Sequence, residues 1–127
     1  MSHIELLKFV ATALNRIGAE WMLTGSVASN FLGAIRTTHD IDFVIDLRAA
    51  QINDLIAAFS QPDFYIQPHT VREAYASGGM FQILHEASGI KLDFWLLKDE
   101  PFAVSSFDRR QIHEVEGVPI PLQSPED

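Results

Sequence analysis

The sequence predicts one domain of mixed class, α/β in the sense of α+β, and three observations carry that expectation. Near the N-terminus Ile4, Leu7, Ala11, Leu14 and Ile17 recur on one helical face. Ile41 to Leu47 is dense in branched residues and reads as a strand. Met80 to His85 and Ile90 to Leu97 are apolar runs joined by a tight turn at Glu86-Ala87-Ser88-Gly89, the pattern of a β-hairpin. At 127 residues and 47% hydrophobic content, residues 1–127 suit one domain with a real core.

Taken in order, the first helix should end near Gly18. Trp21-Met22-Leu23-Thr24 reads as a short buried strand before a glycine. Ser26 to Gly33 reads as a short helix with Val27, Ala28, Phe31 and Leu32 inward, followed by a polar connection, Arg36-Thr37-Thr38-His39. Ile52, Leu55, Ile56 and Phe59 give a second amphipathic helix. Gln61 to His69, with Pro62 and Pro68, is expected to be a turn or edge strand, and Val71 to Ser77 a short helix before Gly78-Gly79. A helical piece around Phe102 to Arg110 precedes short strands near Ile112–Val115 and Val118–Leu122. Ser124-Pro125-Glu126-Asp127 has the composition of a helix start, so a helical region is expected to follow residue 124.

Composition removes several function classes. The chain has no cysteine, which excludes disulfides, thiolate zinc sites and a cysteine nucleophile. Net charge is −8, which argues against a long groove for a nucleic-acid backbone. No run approaches the length of a membrane helix, and Glu5 and Lys8 interrupt the N-terminal apolar stretch where a signal peptide would need continuity. The expected location is the cytoplasm. His3, His39, His69, His85 and His113 are scattered without metal spacing.

The chemistry concentrates at Asp40-Ile41-Asp42. Carboxylates at i and i+2 of a strand share a face, here with Val44, while Ile41, Phe43 and Ile45 take the other. The apolar set must be buried, so the acids face a cleft or solvent. Two like charges that close favour a cation between them, and Mg²⁺ takes few carboxylates plus phosphate oxygens. Gly25-Ser26, at a strand-to-helix junction, offers backbone N–H groups to a phosphate. In the hairpin, Lys91, Asp93 and Trp95 share one face. Asp93 is an acid in mid-strand, where Asp is disfavoured, and a third carboxylate beside Asp40 and Asp42 would explain it. Three acids suit two-metal phosphoryl transfer.

Each element alone has a plainer reading. D-x-D at a strand entrance is common, most Gly-Ser pairs are turns, and a mid-strand acid often only pairs. Their order and spacing together make the argument. Arg36 and Lys91 are candidate phosphate contacts, and each could equally pair with an acid. Thr24 and Ser29 could lend hydroxyls nearby, and Trp21 and Trp95 read as core or cleft wall. Competing motifs fail: Val44 replaces the Thr of a D-x-D-x-T phosphatase signature and the ligand of an EF-hand loop, and there is no G-x-x-x-x-G-K-[ST] or G-x-S-x-G.

These residues resemble the DNA polymerase β-type nucleotidyltransferase superfamily. Its three-part pattern reads here as LTGSVASNFLG, THDIDFVID and IKLDFWLL, spanning Trp21 to Leu97, and the ending VPIPLQSPED is similar to the minimal bacterial, AbiEii toxin-like branch. The resemblance implies a mixed β-sheet flanked by helices. It implies NMP transfer from an NTP to a hydroxyl acceptor with release of pyrophosphate. Gly25 and Ser26 would hold the triphosphate, Asp40 and Asp42 would bind Mg²⁺ or Mn²⁺, and Asp93 would be the third acid. The acceptor could be a small molecule, a tRNA end or a protein. The alternative is a toxin–antitoxin component, or a catalytically inactive nucleotide-binding relative, acting through a partner.

Overall fold

Branched and aromatic residues at every second position drive the architecture, because they can be buried only if their strands share one sheet. The computed structural model describes residues 1–24, 31–125 and 127. Its helices are α1 (His3–Arg16), α2 (Phe31–Thr37), α3 (Ile52–Ala58), α4 (Pro68–Ser77) and α5 (Pro101–Asp108). The strands are β1 (Glu20–Leu23), β2 (Asp40–Asp46), β3 (Phe64–Tyr65), β4 (Met80–His85), β5 (Lys91–Leu96), β6 (Gln111–Val115) and β7 (Val118–Leu122). The strands form one seven-stranded mixed sheet in the order β3-β4-β5-β2-β1-β7-β6. β2–β5 and β1–β7 are parallel, and the other neighbours antiparallel. The expected α+β class is therefore observed.

α1 begins in a reciprocal cap. Ser2 Oγ accepts from the Glu5 N–H at 3.1 Å, and Glu5 Oε1 accepts from the Ser2 N–H at 3.1 Å. Its apolar stripe (Ile4, Leu7, Val10, Ala11, Leu14) is buried against the sheet. Across the sheet centre Phe43, Phe94 and Phe81 lie in register on the core side. Their rings stack at centroid distances of 4.6 Å (Phe43–Phe94) and 5.1 Å (Phe81–Phe94). Trp21 flanks Phe43 at 5.8 Å and donates its indole N–H to Asn15 Oδ1 at 3.0 Å, as a core residue. Among the described residues no helix is long and apolar enough to cross a membrane.

Three expectations needed correction. The helix read as stopping at Gly33 runs on to Thr37, so Arg36 and Thr37 belong to its last turn rather than to a connection. The Thr37 hydroxyl donates back to the Gly33 carbonyl at 3.1 Å. Leu32, expected inward, is exposed, and Ile35 is the buried residue of that helix. The helix read from Val71 starts at Pro68, where proline suits the first helical turn. It ends at Gly78, whose φ of +71° is a left-handed cap that glycine adopts without strain.

Candidate active site

Strand alternation sends the chemistry to the face opposite the phenylalanines. Parallel pairing places Asp40 beside Lys91, Asp42 beside Asp93 and Val44 beside Trp95. The antiparallel hairpin adds Gln82 beside Asp93 and Met80 beside Trp95. One row across the sheet thus reads Gln82, Asp93, Asp42, with Asp40 one pleat away on the same face. The acid triad expected from sequence is brought together on one face, as is Lys91.

The backbone around these acids is tied on both sides. The Thr24 N–H donates to the Asp42 carbonyl at 3.0 Å and the Lys91 N–H to the His39 carbonyl at 3.0 Å. Thr38 shapes the entry to β2: its hydroxyl donates to the Asp40 carbonyl at 2.5 Å and accepts from the Asp40 N–H at 3.2 Å. His3 of α1 in turn holds the Thr38 carbonyl through Nε2 at 3.0 Å.

Electrostatically the row is under tension. Asp40 is exposed, whereas Asp42 and Asp93 are half-buried. Burial is the largest cause that pushes the Asp93 carboxyl above the usual range; the Gln82 amide opposes it, and the Asp42 and Asp40 carboxylates add to the rise. Oδ1 of Asp93 is buried without a hydrogen-bond partner among the described residues. Such an atom beside a neighbouring carboxylate fits a bound cation, which would supply the missing partner and relieve the repulsion. The acids do not form a closed shell: among the described residues no group of three or more His, Asp or Glu side chains stands in metal-ligand geometry.

Arg36 lies exposed in the last turn of α2 and makes no ion pair among the described residues. Gly25, Ser26 and Ser29 lie outside the described residues. Two concavities flank the acids. One, of about 380 Å³, runs over β4 and is lined by Tyr65, Met80, Gln82, Leu84 and Lys91. The other, of about 230 Å³, lies between Trp95 and α5, over Met22 and Val44. Gln82 and Phe102 were not singled out in the sequence. Gln82 was within reach of it, because a hairpin turning at 86–89 pairs His85 with Ile90 and hence Gln82 with Asp93. No protein-family model matches this chain, and no curated protein matches it.

Proposed function

We propose that this protein is a metal-dependent nucleotidyltransferase that moves an NMP group from an NTP to a hydroxyl acceptor and releases pyrophosphate. One observation carries the reading: β2 and β5 pair so that Asp42 and Asp93 are neighbours, with Asp40 on the same face. Asp40, Asp42 and Asp93 would hold Mg²⁺ or Mn²⁺, and the Oδ1 of Asp93, without a hydrogen-bond partner among the described residues, supports that fit. When bound, the ion neutralises triphosphate charge and makes the acceptor hydroxyl more acidic.

The chain's own groups have separable tasks. Asp93, paired with Gln82 of the groove over β4, takes the proton of the acceptor hydroxyl. The acceptor oxygen then bonds to the α-phosphorus while the bond to the departing pyrophosphate breaks. Lys91, beside Asp40, meets triphosphate oxygens, and Arg36 adds a planar cation for the same anion. Gly25 and Ser26 hold the triphosphate by the resemblance to the superfamily. With an NTP as substrate and Mg²⁺ as cofactor, the setting is cytoplasmic.

The test is a thermal melt with each of four NTPs, with and without Mg²⁺, on wild type and Asp42→Asn. A ligand at a hundred times its Kd stabilises by about 2.7 kcal/mol, a shift of several degrees for a domain of this size. The expected outcome is a Mg²⁺-dependent shift that Asp42→Asn abolishes. No shift with any NTP overturns the proposal. A shift without pyrophosphate release over a panel of acceptors identifies a nucleotide-binding protein that lacks turnover.

A further inference from the structure

Trp95 presents an indole to solvent on the same face as the acids. It follows Asp93 by two residues on β5 and pairs with Val44, which follows Asp42 by two on β2. Two residues along a strand are about 6–7 Å, so the ring stands one step from the acid row. It is 47% exposed, and Phe102 on α5 is 70% exposed. The two rings line one pocket, so they form a joint apolar patch rather than singly scattered exposed residues.

Between them the chain forms the pocket of about 230 Å³. Its floor is Met22 and Val44, its walls are Trp95 and Phe102, and its polar rim includes Gln123 and Lys98. Among the described residues Lys98 is the one cation lining it, so the pocket suits a neutral, flat ligand better than a phosphate. A nucleobase matches these features: a π-face for the indole, an apolar body for the floor and a polar edge for the rim.

The position relative to the acids separates this pocket from the second groove. Asp40 and Asp42 lie on β2, between β5 and β1, and the aromatic pocket spans residues of these three strands. The groove over β4 lies on the other side of Asp93. A nucleotide whose phosphates meet Asp40, Asp42 and Lys91, at the edge of that groove, finds the aromatic pocket on its own side of Asp93, and the acceptor finds the rest of the groove.

We infer that the pocket between Trp95 and Phe102 binds the base of the NTP, stacked on the Trp95 indole. This rests on the nucleotidyltransferase reading. The fluorescence of the protein offers a direct test, because the other tryptophan, Trp21, is buried in the core. Titrations in Mg²⁺ compare the four NTPs with inorganic tripolyphosphate on wild type, Trp95→Leu, Trp95→Phe and Phe102→Ala. At least one NTP is expected to quench wild-type emission, and tripolyphosphate is not.

In melts, Trp95→Leu is expected to keep the tripolyphosphate shift and to bind the preferred NTP roughly 5- to 150-fold more weakly. Phe102→Ala weakens it in the same direction, and Trp95→Phe recovers most of it. If NTPs and tripolyphosphate bind equally well to wild type, or Trp95→Leu and Phe102→Ala leave NTP affinity unchanged, this inference falls and the enzymatic reading stands. If neither NTPs nor tripolyphosphate bind, both fall.

Discussion

Asp93 sets folding against chemistry within a single side chain. Burial and two neighbouring carboxylates raise its pKa in the folded state, so its ionised form destabilises the fold. The penalty is absent below the ordinary value of 3.8 and grows as pH rises through the folded pKa. Asp93→Asn should therefore stabilise the metal-free protein at neutral pH while abolishing NMP transfer. Melts in EDTA at neutral pH and near pH 4 check this, since the gain should vanish at the lower pH. His85 has the opposite sign. Burial, the largest cause, lowers its pKa, and its Nδ1 lies 2.7 Å from Ser88 Oγ. Its neutral form contributes stability that is present above about pH 6.5 and lost as pH falls through the folded pKa. Replacing it with Asn should flatten that acid limb in melts between pH 7 and 5. At this scale the sequence showed the faces of Asp40, Asp42 and Asp93, because strand alternation is local. It did not show Phe102 beside Trp95, because where a helix docks is a tertiary outcome.

Among the elements, β5 is the one whose two faces matter most. Leu92, Phe94 and Leu96 enter the core, while Lys91, Asp93 and Trp95 face outward. Phe94, stacked between Phe43 and Phe81, backs the acid row, and Phe94→Ala should cost about 3–5 kcal/mol in chemical denaturation. Removing the α1 cap by Ser2→Ala should cost about 1 kcal/mol. α1, β2 and the hairpin were legible because period and turn chemistry agree there. α2 was ended too early because Gly33 looked like a stop, whereas a glycine inside a helix only weakens it. The pairing of β2 with β5 is parallel and reaches across α3, β3, α4 and β4, so no turn in the sequence specifies it.

For the molecule as a whole, a net charge of −8 should prevent tight binding to duplex DNA. Fluorescence anisotropy with a labelled duplex at physiological salt should show no saturable binding. The central sheet also has a genetic consequence. Asp42 and Phe43 are adjacent in sequence yet serve opposite sides, as do Asp93 and Phe94. Deleting the Ile41 codon or the Leu92 codon would shift the alternation by one, turning a carboxylate into the interior and a phenyl ring into the cleft. Such deletions should be null even where conservative substitutions of Ile41 or Leu92 are tolerated. Insertions at Glu116-Gly117, an exposed turn far along the sheet from the acids, should pass almost unnoticed. A deletion and insertion scan of the gene would trace the acid row without any assay of its chemistry.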